Sequence, residues 1–210
     1  MNVSKKRVER LMREEGLQGR VVQVTRRQPG RKEFNKKGEN LILKLAAPTK
    51  VNQIWVGDVT YLKLSGRWHY LATVMDLYSR RIIGWSLATY RTAELTRSAF
   101  KYAIKKRGYP EGVTFHTDKG MEYMGAEFQA LLRSHKVSHS VNRPGYCTDN
   151  AYMESFYHSL KAELIRGTEF SGPGELRSSV GSYIHNFYNA VRLHSGIDYC
   201  SPIEFECMNA

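Results

Sequence analysis

Three acidic side chains stand where acids are uncommon, and the chemistry they could do frames the rest of the sequence. Asp58 sits inside the apolar run IWVGDVTYLKL of residues 54–64. Asp118 ends the segment VTFHTD and is followed by Lys119-Gly120, so its carboxylate emerges where a strand finishes, the place at which sites form in open α/β sheets. Glu154 follows a Pro-Gly loop, in the first turns of a predicted helix. A carboxylate buried alone is costly, whereas several that converge can be held by a divalent cation. Oxygen ligands with room for water suit Mg²⁺, with Mn²⁺ as a substitute. Two such ions about 4 Å apart can activate an attacking hydroxyl and stabilise the leaving oxygen of a phosphoryl transfer. Fifty-nine residues separate Asp58 from Asp118 and 35 separate Asp118 from Glu154; with 20 acids in the chain, spacing alone does not single out this triple.

The elements that must position these groups follow from periodicity. Residues 54–64 are rich in β-branched and aromatic side chains, Ser65-Gly66 supplies a turn, and RWHYLATVMD continues as a second strand. Leu77 to Arg80 turns the chain again and RIIGWSLA forms a third strand, giving an antiparallel meander. A helix is expected over about 92–107, with Leu95, Ala99, Phe100, Tyr102 and Ala103 inward, stopped by Gly108 and Pro110. VTFHTD then reads as a buried strand, GAEFQALLRSHK as a helix, VSHSV as a strand, 142–148 as a loop, and 149–166 and 174–191 as helices. The order β-β-β-α-β-α-β-α predicts an α/β fold, a mixed sheet with helices on its faces. Trp55, Trp68 and Trp85 fall at strand positions and are expected in the core.

Upstream, residues 4–17 have the pattern of an amphipathic helix, capped by Asn2 or Ser4 and ended by Gly16. From Gly19 to about Lys50 periodicity is lost, which predicts a linker or arm. The division expected is therefore 1–50 as a basic N-terminal helix and arm, and 51–210 as a core with C-terminal helices. Charge follows that division. The chain carries 32 Lys and Arg against 20 Asp and Glu, or +12; residues 1–50 hold 14 basic and 5 acidic side chains (+9), leaving 18 and 15 (+3) for the remainder. A basic arm on a nearly balanced domain suits a polyanion, although a solvated tail has the same composition. Three cysteines without CxxC spacing argue against a zinc module or a disulfide framework and for reduced thiols in the cytoplasm. No run of about 18 apolar residues is present to span a membrane.

The words around the acids are more specific than their spacing. WVGDVTYL, YLATVMDLYSRRIIGW, FHTDKGMEY and PGYCTDNAYMESFYHSLKAEL resemble, in order, signatures of insertion-sequence transposases of the IS3 family, and YIHNFYNAVRLHSGIDYCSPIEFE resembles that family's C-terminal segment. The resemblance covers roughly residues 52–206. It implies a ribonuclease-H-like fold similar to retroviral integrases, with Asp58, Asp118 and Glu154 on the family's DDE positions as catalytic residues and metal ligands. The chemistry implied is nicking at transposon ends and attack of a 3′-hydroxyl on a second phosphodiester. No covalent protein–DNA intermediate, ATP or organic cofactor is implied. The partners implied are DNA, further copies of the chain assembled on it, and an upstream-frame helix-turn-helix protein; the setting implied is the cytoplasm, on the nucleoid. The helix-turn-helix region of full-length relatives has no counterpart here. Residues 1–18 resemble the end of the small domain before the core, so a downstream-frame or truncated product is expected. A DNA-binding regulator without catalysis, and a nuclease on the same fold that cuts but does not join, are the competing readings.

Neighbouring residues divide between site and scaffold. Lys161 and His158 share the helix face of Glu154. The family carries a basic residue seven positions past its glutamate, which assigns Lys161 to a DNA phosphate, and His158 is left outside the metal shell. Asp149 and Asn150 suit helix capping, with Asn150 also placed near the DNA. Arg143 and Tyr146 of the loop, and Arg192, are expected DNA contacts. Asp76 is read as turn chemistry. His116, two residues before Asp118, supports either a hydrogen bond to the site or simple packing. Tyr183, Phe187, Tyr188 and His194 are read as packing residues.

Overall fold

The computed structural model describes residues 4–17, 38–143 and 150–209. Two compact units are present, residues 1–30 and 31–210. In the first, α1 (Lys5–Glu14) is capped by the Ser4 hydroxyl, which accepts from Arg7 N at 3.4 Å, and none of its residues is buried.

The second unit is built on a meander of three strands, β1 (Ile54–Leu64), β2 (Arg67–Asp76) and β3 (Ile82–Ala88). Ser65 and Gly66 take φ of 45° and 80°, the paired left-handed conformation that closes a two-residue hairpin with the correct twist. After α2 (Ala93–Lys106), β4 (Thr114–Thr117) joins the other edge of β1 in parallel; then come α3 (Met121–Met124) and α4 (Ala126–Ser134), and β5 (Ser138–Val141) joins β4, also in parallel. The sheet order is β3-β2-β1-β4-β5. On one face β1 and β2 meet α5 (Ala151–Leu160) and α6 (Pro173–Ser182) through Ile54, Val56, Leu71, Met153, Phe156, Leu160, Leu176 and Val180. On the other they meet α2 and α4 through Trp55, Ala72, Phe100, Phe115 and Phe128. This is the expected mixed sheet with helices on both faces.

Several details depart from expectation for physical reasons. Tyr102, expected inward, is exposed, and α2 buries Thr96 and Ile104 instead. Trp68, expected in the core, is 48% exposed, whereas Trp55 is fully buried and Trp85 half-buried. The cause is unequal strand length: β4 covers only residues 54–57 of β1 and β3 reaches only Tyr70 of β2, so the far end of the β1–β2 hairpin has no sheet neighbours. Residues 38–50, assigned to the arm, are fixed to the core. Val141 N donates to Glu39 O at 2.9 Å and Leu41 N to Ser140 Oγ at 2.8 Å. Helix α5 runs on into a wider π turn at Lys161–Ile165, and α6 into another at Tyr183–Tyr188. A last helix, α7 (Pro202–Met208), begins with a capping box between Ser201 and Glu204. Glu206 on α7 takes hydrogen bonds from Ser79, Arg81 and Arg107, which locks α7 to the sheet.

Candidate active site

The parallel pairing of β1 with β4 ends at Gly57 opposite Thr117, so the next residue on each strand is an aspartate. Asp58, in the middle of β1, and Asp118, just past the end of β4, therefore stand side by side where the parallel pairing stops. Gly57 keeps the junction tight: the Phe115 ring lies where a Cβ at residue 57 would sit, 2.4 Å from its ideal position. Asp58 Oδ1 accepts from Val59 N at 2.7 Å and Asp118 Oδ1 from Gly120 N at 2.9 Å. Burial pushes the Asp58 carboxyl up to about 8, with the negative charge of Asp118 adding to the effect. Asp118 is also raised, first by burial and also by Glu122, against the amide of Gly120 and the charge of Arg91. Two neighbouring desolvated acids, both with raised carboxyls, form a site with affinity for a cation.

Glu122 and Arg91 were not anticipated from the sequence. Glu122 is buried and its Oε1 accepts from Arg91 Nε at 2.8 Å and from Arg91 Nη2. Both charges act on Asp58, with Arg91 favouring its ionised form and Glu122 opposing it. Glu122 is thus a third acid beside the pair, committed to an arginine. The signal that could have found it is a further acid four residues past Asp118, on α3.

Glu154 lies on α5 with its side chain exposed. Among the described residues no group of three His, Cys, Asp or Glu side chains lies close enough to hold one metal ion, so Glu154 is not drawn up to Asp58 and Asp118. Its helix face is nevertheless fixed against β1. The Asn150 amide donates to Gly57 O at 3.3 Å, and the Tyr157 hydroxyl donates to Asp58 O at 2.6 Å and lies 2.8 Å from Thr73 Oγ1. Lys161 is half-buried, which lowers its affinity for a proton, while the charge of Asp58 opposes that shift. Residues 150, 154, 157 and 161 form one stripe of a helix, and three of the four reach the surroundings of Asp58.

The other expected site residues fall as follows. Asn150 is buried at the start of α5, and its amide reaches β1 instead of capping the helix. Arg143 is exposed, and Tyr146 and Asp149 lie outside the described residues. Arg192 pairs with Glu163 at 3.0 Å and donates to Ser159 Oγ at 3.1 Å. Tyr183 donates to the same Glu163 at 2.6 Å, so these two residues brace the C-terminal helices. Asp76 is fully buried, accepting from Asn52 N and Tyr78 N beside Arg107, as suits a turn. His116 is engaged by Ser140 Oγ at 2.8 Å and Asn142 Oδ1 at 2.6 Å. Cavities of about 480 and 660 Å³ adjoin residues 45–48 and are lined by none of the three acids.

Two family models described as integrase core domain match residues 48–147 and 135–202. The transposase for insertion sequence element IS904 of Lactococcus lactis is 37% identical over 205 residues, covering 98% of this chain and 81% of that protein. The chain belongs to the IS3 family of insertion-sequence transposases. Transposase InsF for insertion sequence IS3A of Escherichia coli is 43% identical over 171 residues, covering 81% of this chain. The IS3-family chain spans 59% of the length of that relative. Among solved structures, its fold is similar to the simian T-cell lymphotropic virus intasome in complex with PP2A regulatory subunit B56 gamma, with a TM-score of 0.65 at 20% identity over 81% of this chain and 58% of that one. It is also similar to the HTLV-2 integrase catalytic core domain in complex with magnesium, with a TM-score of 0.57 at 21% identity over 75% and 98%. The fold is thus that of the integrase, ribonuclease-H-like class. No helix among the described residues is long and apolar enough to cross a membrane.

Proposed function

We propose that this IS3-family chain cuts DNA at the ends of a mobile element and joins the freed 3′ end to a second DNA strand, with Asp58, Asp118 and Glu154 holding magnesium or manganese. The observation that carries the reading is the abutment of Asp58 and Asp118 where the parallel pairing of β1 and β4 stops, beside a helix stripe that contains Glu154 and is anchored to Asp58. The donor set is hard oxygen throughout, which fits such an ion, and the raised carboxyls are groups it would ionise. The HTLV-2 integrase core was solved with magnesium, which supports the same assignment.

When bound, the metal supplies charge neutralisation at the scissile phosphate and a more acidic nucleophile. The chain's own side chains do the rest. Tyr157 fixes the backbone at Asp58, Arg91 offsets the charge of Glu122, and Lys161 holds a phosphate next to the site. Arg143 and Tyr146 meet the DNA ahead of α5, and Asn150 and Arg192 hold the elements around it. The working form is an assembly of copies on DNA, since two element ends have to be brought together.

Incubation of a labelled element end with the protein and Mg²⁺ tests the reading. Nicked and joined products are expected, both absent with EDTA and with Asp58→Asn or Glu154→Gln. Nicking that persists in those variants would remove the assignment, and nicking without joining would leave a nuclease.

A further inference from the structure

The end of the β1–β2 hairpin carries a cluster that neither the core nor the carboxylate site uses. Tyr61 is 51% exposed and Trp68 48% exposed, and their rings meet edge to face with centroids 5.1 Å apart. Lysines flank the pair: Lys63 Nζ is 5.6 Å from the Trp68 ring centre and Lys161 Nζ is 4.5 Å from the Tyr61 ring centre. Arg67, on the same hairpin, is exposed. Large aromatics left open together mark a binding surface, and alternation with cations narrows the partner to one with both flat apolar rings and negative charge.

Position narrows it further. Tyr61 is three residues beyond Asp58, roughly 10 Å along the strand and on the opposite face of the sheet, in the stretch of β1 whose edge β4 no longer covers. Lys161 links the two places, since its ammonium lies over the Tyr61 ring and feels the charge of Asp58. We propose that Tyr61 and Trp68 form a stacking platform for unpaired bases of DNA next to the scissile phosphate, with Lys63, Arg67 and Lys161 on the adjoining phosphates. The inference rests on the DNA-processing function proposed above and adds to it a preference for frayed or single-stranded nucleotides at the site. The aromatic faces are indifferent to base identity, so the platform favours unpaired over paired DNA and not one sequence over another. A lysine on its flexible stem can swing from the ring face to a phosphate as a base arrives.

The test uses the full chain in EDTA, where no cutting occurs, so that stacking is read apart from chemistry. The probes are a duplex with a short single-stranded overhang containing 2-aminopurine, and the matching blunt duplex. Stacking should quench 2-aminopurine emission, and the overhang should bind more tightly than the blunt end. Trp68→Ala and Tyr61→Ala should each weaken overhang binding by roughly 5- to 150-fold, the equivalent of about 1–3 kcal/mol per stacked base, and abolish quenching while blunt-end binding stays constant. Trp68→Phe should retain most of both signals, and thermal melting confirms that each variant is folded. Equal quenching by the wild-type chain and Trp68→Ala would overturn the proposal. So would variants that dissociate an oligomer in sedimentation while overhang binding is unchanged, which would assign the patch to an interface between copies. Nicking lost in Asp58→Asn but no quenching by the wild-type chain would overturn the platform alone, whereas nicking retained in Asp58→Asn with quenching intact would overturn the catalytic reading alone.

Discussion

His139 shows at single-residue scale how the site is supported from below. Its Nδ1 lies 2.7 Å from Gln129 Nε2 and its Nε2 lies 3.0 Å from Thr117 Oγ1, which itself donates to Asp118 O. Gln129 can only donate here, so the neutral ring carrying its proton on Nε2 satisfies every partner and a second proton would face a donor. Burial, with the nearby His116, accordingly pulls the His139 imidazole from the usual 6.5 down to about 4. The unfolded chain takes up that proton first, so this contribution to stability is complete above about pH 6.5 and is lost as pH falls towards 4. Melting temperature should fall over that window more steeply in the wild type than in His139→Gln, as followed by circular dichroism. Arg91 gives a second residue-scale expectation. Removing it leaves the buried Glu122 unpaired beside two acids, so Arg91→Ala should cost about 1–3 kcal/mol in urea unfolding, and Arg91→Ala/Glu122→Gln should recover part of the loss. Asp58 and Asp118 were legible in the sequence because each is an acid within or directly after an apolar strand. Arg91 and Glu122 were not, because 30 residues separate them and only the fold brings them together.

Elements carry the geometry between these residues. The meander, β4, β5, α2 and α4 were readable from period-2 and helical spacing, with the hairpin turn given by Ser65-Gly66, whereas the short α3 was not. Spacing could not tell how far each strand is flanked by others, which is why Trp68 was placed in the core. Nor could it tell that α5 and α6 widen into π turns, since that depends on packing and not on residue type. Helix α7 did have a signal, the Ser201-Pro202-Ile203-Glu204 capping box. What docks α7 is Glu206, whose carboxylate holds Arg81 and Arg107 in largely buried pairs. Glu206→Gln removes the carboxylate that Arg81 pairs with and leaves Arg107 with Asp76 alone, at 3.4 Å. A loss of about 3–5 kcal/mol is expected, measurable as a lower urea midpoint. An unchanged midpoint would show that α7 contributes little to the core.

For the whole molecule, charge is the property that sequence reports most directly. The +12 total, most of it in the first 50 residues, predicts DNA affinity that drops steeply with salt. Replacing Lys5, Lys6 and Arg7 with glutamine should flatten the plot of log affinity against log salt by about 0.9 for each DNA phosphate left without its cation, as read by fluorescence anisotropy. Base-independent binding with an unaltered slope would assign those charges to solvent. The larger claim is that Asp58, Asp118 and Glu154 converge on one divalent cation. Electron paramagnetic resonance of Mn²⁺ titrated into the protein, with and without an element-end DNA, measures this without reference to catalysis. We expect bound Mn²⁺ in the wild type, strongly weakened binding in Asp58→Asn and Asp118→Asn, and a DNA-enhanced affinity that is lost in Glu154→Gln. Equal Mn²⁺ affinity in all four proteins would contradict the account.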